Sequence, residues 1–532
     1  MLKKRKMKFK KITLHPITSF ILMTLGVMIL SSIFSIFELQ ASYSKINPAT
    51  VELENVIVAV EGMFNFEGFK FLISNAAKNF VSFTPLSTLL IGLIGLSVAH
   101  ASGFIDAFIK RGTLHINNKT ITFILIFIAT ISSIINEVGY VILIPLSALV
   151  FLANGRNPLL GITASFCGVA FGYGATIFAG SAEISLVPIT NQAAYLIDSG
   201  FHVSMLSNLI AIIVSSIVVS FVGTFIVENI LLKKIGKYKI NEEELLGETR
   251  EIKLELVEAE EQKRLEVETR EKKGLKNAFI AAMVVLVLFI YMIIPNLPGS
   301  GLLLDMNEYA YINQLFGPNS YLQDGFTYLV SVLFFATGIA YAMGAKTIKN
   351  DKDLVEKASI YLKDVGYLVA LIFFAAQFIA VFKKTNIGTI IVAFISNIIK
   401  NISFSGLPLI IGVLVLIAVS GLFVTTQSAK WTILSPVVVP LLMQSNVSPQ
   451  FAQFIFRAGD SMAKGITPIL AYFVIYLGYL NIYNKDKEPI TIRKTLSFVS
   501  PYCLIISITW ILIVALLYIV GFPIGPGIYP SL

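Results

Sequence analysis

Long apolar runs alternate with short polar segments along most of the chain. Eight such runs lie near residues 14–38, 84–105, 203–231, 277–295, 326–345, 365–382, 406–424 and 497–520. Each approaches or exceeds the roughly 17–25 residues that an α-helix needs to cross a bilayer. The pattern therefore predicts an all-α polytopic membrane protein. Because no small-residue cleavage site follows the first run, we expect a transmembrane helix there and not a cleaved signal peptide.

Two polar stretches interrupt the apolar pattern, "SSIINEVGY" (132–140) and "TTQSAK" (425–430). Each follows a long apolar arm (120–135 or 406–424) and precedes a second arm (141–153 or 431–444). A second arm of about 13 residues is roughly 20 Å long as a helix, which is too short to span comfortably. We therefore predict re-entrant hairpins near 120–153 and 406–444, with polar tips that line protein or a wet cavity near the midplane.

The helix after each predicted hairpin is interrupted as well. The interruptions are "GVAFGYGAT" (168–176) and "GDSMAKGITP" (459–468), and the residues that we predict at helix breaks are Gly172, Gly174, Pro449 and Pro468. The exposed N-terminus of a half-helix attracts anions, whereas loose carbonyl groups suit cations. Two hairpins with two broken helices are typical of a secondary active transporter.

An internal repeat relates the two halves. A shift of 291 residues, the difference between Pro158 and Pro449, also aligns "ILIP" (142–145) with "ILSP" (433–436), Gly168 with Gly459, and Thr176 with Thr467. The loop after the first copy, "NGRNP", carries an arginine, whereas "QSNVSP" after the second is uncharged. Because basic loops favour the cytoplasmic side, the two copies are predicted to have opposite orientations, as in an inverted repeat.

Composition and charge agree with this class of protein. The chain is 56% hydrophobic and 14% charged, with a net charge of +9. In a soluble protein this charge would suggest nucleic acid, but here the basic residues cluster at helix ends, so we expect a lipid bilayer and no nucleic-acid partner. The predicted organisation is a cytoplasmic N-terminus (1–11), a first membrane half (12–231), a charged cytoplasmic helical linker (232–276), a second membrane half (277–520) and an external tail (521–532).

Other functional classes fit less well. A channel would also need a polar pathway, but paired hairpins with charged tips favour alternating access over a fixed pore. The chain has neither H-E-x-x-H nor G-x-S-x-G, so no enzyme is expected. The four histidines and the two cysteines have no metal-ligand spacing, so we predict no metal site. In the linker, the alternative to a solvated helix is a regulatory docking site.

Several stretches resemble the p-aminobenzoyl-glutamate transporter (AbgT) family of the ion transporter superfamily. They are "NAAKNFVSFTPLSTLLIGLIGLSVAHASGFI" (75–105), "GYVILIPLSALVFLANGRNPL" (139–159), "SAKWTILSPVVVPLL" (428–442) and "FRAGDSMAKGITPILAYF" (456–473). The resemblance implies a dimeric protein of the bacterial inner membrane with nine transmembrane helices and two re-entrant hairpins. It also implies p-aminobenzoyl-glutamate uptake or sulfonamide antimetabolite export, driven by a proton or sodium gradient.

The resemblance assigns functional positions to particular residues, which are Ser428, Trp431, Pro449, Arg457, Asp460 and Pro468. The chain also departs from the family pattern. Glu137 and Glu183 stand where the family has Asp, while Gly421 and Lys464 stand where it has Asn. An ammonium group at position 464 can take the place of a bound cation. Sodium and proton coupling therefore both stay open.

From these patterns we expect two groups of site residues. The substrate-binding residues are Asn136, Gln427, Ser428, Trp431, Arg457 and Asp460; the ion-coupling residues are Glu137, Glu183, Asp460 and Lys464. Intramembrane charges are costly and usually face a cavity or one another. Arg457 and Asp460, three residues apart, could instead form a structural ion pair with each other. Lys464 could neutralise Asp460 or Glu137, or extend to the interface. The runner-up substrate is a dicarboxylate.

Overall fold

The computed structural model describes residues 14–135, 137–236, 238, 257–317, 319–363 and 365–532, with 257–266 described by their backbone alone. The helices before the linker are α1 (Pro16–Ile36), α2 (Phe66–Val81), α3 (Thr84–Ala101), α4 (Phe104–Thr113), α5 (Asn118–Ile131), α6 (Val138–Ala153), α7 (Pro158–Phe171), α8 (Ser181–Tyr195), α9 (Leu209–Ile226) and α10 (Leu232–Ile235). The later helices are α11 (Val257–Ile293), α12 (Tyr311–Phe316), α13 (Tyr321–Ala345), α14 (Asp351–Tyr361), α15 (Val365–Lys384), α16 (Ile387–Lys400), α17 (Leu407–Gly421), α18 (Gln427–Gln444), α19 (Pro449–Ala463), α20 (Phe473–Ile482) and α21 (Ile492–Val520).

The predicted helical, polytopic membrane fold is confirmed. Eight helical segments within the described residues are long and apolar enough to cross a membrane: Pro16–Ile36, Phe66–Ala101, Asn118–Ile135, Leu209–Ile235, Val267–Ile293, Tyr321–Ala345, Val365–Lys384 and Ile492–Val520. Seven of these overlap predicted apolar runs. The eighth run, 406–424, forms α17, whose 15 residues are shorter than a span. The nine spans implied by the family resemblance stay a prediction.

A two-stranded sheet interrupts the helical fold within the part of the chain that the structure describes. Strands β1 (Gln40–Ile46) and β2 (Leu53–Ala59) pair antiparallel after α1. The sheet packs against the membrane helices, because the Asn397 side chain donates a hydrogen bond to the Ser42 carbonyl and Asn386 donates one to the Ala59 carbonyl. The sequence analysis did not predict either strand, because it was based on apolar runs and the two strands lie between the first and second of these runs.

The two predicted hairpins correspond to α5 with α6 and α17 with α18. In the first, a 3₁₀ turn over Ser132–Ile135 follows α5 and leads to Glu137 and α6. In the second, Val424 and its neighbours separate α17 from α18. The expected length of about 13 residues was wrong for both second arms: α6 has 16 residues, roughly 24 Å, and α18 begins at Gln427 and has 18 residues, roughly 27 Å. Helix α18 includes polar residues of the predicted tip because buried partners satisfy them. The re-entrant course of both hairpins stays a prediction.

The two interrupted helices, α7 and α19, form the centre of the molecule. Every residue of α19 is buried, and so is every residue of α7 except Leu159. Helix α7 ends at Phe171 with Gly172 as its cap, and α19 ends at Ala463 before a 3₁₀ turn over Lys464–Ile466. Pro449 was predicted at a break, but it is the first residue of α19. At this position the backbone N–H that proline lacks would have no partner within the helix, so no hydrogen bond is lost.

Glycine contacts show that the two halves pack in equivalent ways. A Cβ atom on Gly168 of α7 would lie 2.7 Å from the Ala129 side chain of α5. A Cβ atom on Gly459 of α19 would lie 2.8 Å from the Leu414 carbonyl oxygen of α17. Each interrupted helix therefore packs closely on the first arm of its own hairpin. The shift of 291 residues also aligns one contact of each glycine, because the Cβ atom on Gly168 would lie 3.3 Å from the Ile126 carbonyl oxygen and that on Gly459 would lie 2.8 Å from the Ile417 side chain.

The breaks themselves pack against each other reciprocally. A Cβ atom on Gly174 would lie 2.7 Å from the Ser461 hydroxyl, and one on Gly465 would lie 2.9 Å from the Ala170 side chain. The shift of 291 converts the pair Gly174–Ser461 into the pair Gly465–Ala170. Reciprocal contacts of this kind are expected when two units, here the two halves of the chain, are related by a two-fold axis.

Candidate functional site

The hairpin tips and the helix breaks surround one polar cavity of about 410 Å³. Glu137 from the first tip and Ser428 from the second line its wall, together with Tyr173 and Lys464 from the two breaks. Tyr472, just before α20, also lines this cavity. The fold therefore brings together the polar segments that interrupt the apolar pattern, although they lie far apart in the chain.

Three ion pairs lie at or beside the polar cavity, and each joins a different acid to a different base. The pairs are Glu183 with Arg457, Asp460 with Lys430, and Glu137 with Lys464. Five of these six side chains are 0–2% exposed, whereas Glu137 is 31% exposed. Because burial of an unpaired charge is costly, this pairing makes the charged centre compatible with a membrane interior.

Arg457 pairs with Glu183 and not with Asp460. Its guanidinium group contacts the Glu183 carboxylate and also donates a long hydrogen bond, 3.5 Å, to the Tyr173 carbonyl. The other Glu183 oxygen accepts from the Gly180 backbone N–H at 2.9 Å, which caps α8. The alternative of an Arg457–Asp460 ion pair was wrong because each residue has a partner on a different neighbouring helix. The Glu183 side chain is 2% exposed, so this pair is buried.

Asp460 lies between two residues of the first turn of α18. The Lys430 ammonium contacts one carboxylate oxygen, and the Gln427 amide donates a hydrogen bond of 2.7 Å to the other. Gly421 provides the room for this arrangement, because a Cβ atom there would lie 3.2 Å from the Lys430 nitrogen. The glycine that departs from the family pattern thus lies directly beside an ammonium group of this chain.

Lys464 pairs with Glu137 across the wall of the polar cavity, with 3.3 Å between the Nζ and Oε1 atoms. The same ammonium group lies 3.1 Å from the centre of the Tyr173 ring, an energetically favourable cation–π contact. Of the alternatives for Lys464, a counter-ion to Glu137 agrees with the structure. Extension to the interface does not, because the side chain is 1% exposed.

The other predicted site residues take different places. Trp431 is completely buried, stacks on Phe456 at 4.4 Å and donates a hydrogen bond to the Thr190 hydroxyl, so its ring packs in the core. Ser428 and Gln427 line the polar cavity. Asn136 lies outside the described residues. Gly172 and Gly174 lie at the first break and Pro468 follows the second, whereas Pro449 is remote from both as the first residue of α19.

The structure adds three residues to the site. Lys430 supplies the counter-charge of Asp460, Tyr173 carries the ring beside Lys464, and Thr190 links Trp431 to α19 by donating to Gln453 at 2.7 Å. Helical spacing could have identified Lys430, since it lies three residues after Gln427 and therefore on the same face. No local signal marks Thr190, whose partners come from the other half of the chain.

A second cavity, of about 420 Å³ and mostly apolar, lies on the far side of these helices. Helix α3 contributes Pro85 to the polar cavity and Leu96 to this apolar cavity. Helix α6 begins beside the polar cavity and contributes Leu149 to the apolar one. Along α6, Tyr140 lies between Glu137, which lines the polar cavity, and Pro145, which lines the apolar one. Its buried ring stacks on Tyr472 at 5.0 Å.

Comparisons with known proteins find a family and a relative that match nearly the whole chain. Residues 10–532 match the model of a family described as "AbgT putative transporter family". The p-aminobenzoyl-glutamate transport protein of Escherichia coli (strain K12) is 30% identical over 518 residues, which make up 97% of this chain and 94% of that protein.

Two solved structures are also similar to the chain. The YdaH transporter of Alcanivorax borkumensis has 23% identity and a TM-score of 0.47, and the match covers 96% of this chain and all of that one (100%). MtrF of Neisseria gonorrhoeae, whose structure is described as illuminating a class of antimetabolite efflux pumps, has 29% identity and a TM-score of 0.46, covering 97% and 98% of the two chains.

Proposed function

The chain belongs to the AbgT transporter family, and from that premise we propose that it carries p-aminobenzoyl-glutamate or a related aromatic anion across the bilayer. The family is a transporter family and not a class of enzymes. The transport is secondary and active, driven by a gradient of protons or sodium ions. Export of sulfonamide antimetabolites is a further part of this proposal, because MtrF is described among antimetabolite efflux pumps.

The polar cavity is the observation that carries this proposal. It holds both hairpin tips and both helix breaks, which are the elements that form substrate sites in transporters of this architecture. Its volume of about 410 Å³ is in the range of sites for small molecules. The buried Tyr140 ring stacks on Tyr472, which belongs to the wall of this cavity.

The lining of the polar cavity suits an aromatic dicarboxylate. p-Aminobenzoyl-glutamate combines a ring and an amide with two carboxylates. Tyr472 and Phe83 offer aromatic surfaces, and the hydroxyl groups of Thr426 and Ser428 can donate hydrogen bonds to an amide or carboxylate oxygen. Lys383, exposed in the wall, offers an ammonium group to a carboxylate.

Flux of radiolabelled p-aminobenzoyl-glutamate into proteoliposomes tests the proposal, with proton or sodium gradients imposed separately. We expect saturable, gradient-dependent flux that is lost in Asp460→Asn. Lys383→Gln should raise the KM by about tenfold or more, because a hydrogen bond to a charged group contributes roughly 1.5–3 kcal/mol.

The matched control is Lys384→Gln. Lys384 is the next residue of α15, but it pairs with Glu61 at 2.6 Å and is not part of the cavity wall. Its KM should stay unchanged. Absence of flux under either gradient would overturn the substrate assignment, and a competing small dicarboxylate that is transported instead would identify the runner-up cargo.

Location and assembly complete the proposal. We expect the bacterial inner membrane, a cytoplasmic N-terminus and a homodimer, supported by the basic first residues and by the family resemblance. Light scattering of the detergent-solubilised protein measures the assembly, and a monomer mass would contradict the homodimer. Protease treatment of an N-terminal tag in sealed vesicles of known orientation tests the topology.

A further inference from the structure

The charged centre of this protein is neutralised from within the chain. Glu137, Glu183 and Asp460 are the acids around the tips and breaks, and each contacts its own basic side chain. Two of these bases, Lys430 and Lys464, carry ammonium groups. An ammonium group is a compact single positive charge and in this respect resembles a small monovalent cation. The acids therefore have their counter-charges without any ion taken up from solution.

The surroundings of Asp460 show how completely Lys430 fills the cation position. One carboxylate oxygen contacts the ammonium group, and the other accepts from the Gln427 amide at 2.7 Å. Lys430 is 0% exposed, and its nitrogen fills the space beside Gly421, where a Cβ atom would lie 3.2 Å away. A side chain at position 421 would press against this ammonium group, which would have to move by a few tenths of an ångström to admit the Cβ atom.

Lys464 fills the corresponding position beside Glu137. It follows the last residue of α19, where the negative end of the helix dipole and the loosened carbonyl groups favour a cation. Its ammonium group lies between the Glu137 carboxylate, at 3.3 Å, and the Tyr173 ring, at 3.1 Å. Sodium sites in transporters of this architecture are formed by oxygen ligands, but here the Asp460 and Glu137 carboxylates have N–H donors as partners, and the Lys464 ammonium has a ring face on its other side. The residues present do not fit a sodium ion.

We propose that Lys430 and Lys464 act as tethered counter-cations, which occupy the cation positions beside Asp460 and Glu137 and make transport by this chain independent of sodium. The inference rests on the proposed transport function and narrows its driving ion to the proton. Glu137 is the one carboxylate of the three in the cavity wall. Lys464, Tyr173, Tyr140 and Tyr472 are the titratable groups that face it among the described residues.

Thermal unfolding in detergent tests the inference without any transport assay. The melting temperature is measured in NaCl and in choline chloride at equal ionic strength. For the wild type we expect the same value in both salts. Lys430→Gln removes the ammonium group beside Asp460 and supplies an amide oxygen, so its melting temperature should fall in choline and recover partly in NaCl, because an ion that binds the folded state stabilises it.

Two further variants keep this test decisive. The double variant Lys430→Gln with Asp460→Asn carries neither charge, so sodium should not stabilise it. Lys464→Gln unpairs the partly exposed Glu137 and should gain a sodium response even if Lys430→Gln does not fold. A wild type whose melting temperature rises with NaCl, or Lys variants that fold and show no sodium response, would overturn the inference.

Flux measurements then separate this inference from the proposed function. Wild-type flux should be equal in sodium and choline buffers, should follow an imposed proton gradient, and should become sodium-stimulated in Lys464→Gln. If wild-type flux requires sodium, the proposal that Lys430 and Lys464 replace sodium is overturned, whereas the proposed transport function is supported. Absence of all wild-type flux would overturn the proposed substrate, and the unfolding measurements would still decide the question of sodium binding.

Discussion

At the scale of single residues, Glu183 has two roles that stabilise the buried centre. One carboxylate oxygen accepts the Gly180 N–H and caps α8, and the carboxylate neutralises Arg457. Both partners are essentially excluded from solvent. Removal of one member of a buried pair leaves an uncompensated charge and typically costs roughly 3–5 kcal/mol, whereas an exposed pair contributes about 0–1 kcal/mol.

We therefore expect Glu183→Gln to lower the free energy of unfolding by roughly 3–5 kcal/mol. The amide oxygen of glutamine can still accept from Gly180, so the loss reports the charge and not the cap. Glu61→Gln is the matched control, because Glu61 pairs with Lys384 where both side chains are almost half exposed. Denaturant unfolding of both variants in the same detergent measures the difference, and equal losses would contradict the buried pair.

The sequence singled out most of the polar residues around the cavity and one of the three ion pairs, Glu137 with Lys464, but not the other two. Glu137, Gln427, Ser428, Asp460 and Lys464 could be singled out because polar side chains are rare and costly within apolar runs. The pairs Glu183–Arg457 and Lys430–Asp460 join helices from distant parts of the chain, and no local pattern encodes such contacts. Trp431 shows the same limit, since only its contacts assign it to the core.

At the scale of elements, the contact between the two helix breaks depends on glycine. The Gly174 N–H donates a hydrogen bond of 2.6 Å to the Ser461 hydroxyl. A Cβ atom at Gly174 would also lie 2.7 Å from the Arg457 carbonyl oxygen, which belongs to the backbone of α19 and cannot move independently. The break after α7 can approach α19 this closely only because position 174 has no side chain.

We expect Gly174→Ala to destabilise the protein by roughly 1–3 kcal/mol, the usual cost of overpacking a close contact. Gly112→Ala is the control, because Gly112 lies on helix α4 with no atom within 4 Å of its would-be Cβ. That control should be neutral or more stable, since alanine favours a helix over glycine. The shift in melting temperature measures both, and a neutral Gly174→Ala would contradict the close packing of the breaks.

At the scale of the whole molecule, the equivalent loops after α6 and α18 lie at opposite ends of α21. Asn157, in the first loop, donates a hydrogen bond to the Gly236 carbonyl, and Lys234 beside it contacts the Ser497 carbonyl near the start of α21. Ser448, in the second loop, donates its N–H to the Pro530 carbonyl, ten residues after α21 ends. Helix α21 has 29 residues, roughly 43 Å, so these contacts support the inverted orientation.

Thiol labelling of a matched pair tests that orientation. Ala153 and Gln444 are the last residues of α6 and α18, are both exposed, and are related by the shift of 291. We expect Ala153→Cys to react with a membrane-impermeant maleimide only from the cytoplasmic side, and Gln444→Cys only from the outside. Cys167 is buried and Cys503 partly so, and the wild type measures their background. Reaction of both from the same side would contradict the inverted repeat.

The sequence by itself determined the membrane class, most of the long apolar helices and the location of the polar interruptions. These properties depend on local composition and on periodicity, because a bilayer selects long apolar helices and excludes isolated charges. Only the tertiary structure decided which acid meets which base, where α18 begins, and that Gly421 makes room for the Lys430 ammonium. Those properties depend on contacts between residues far apart in the chain, which only the packed fold brings together.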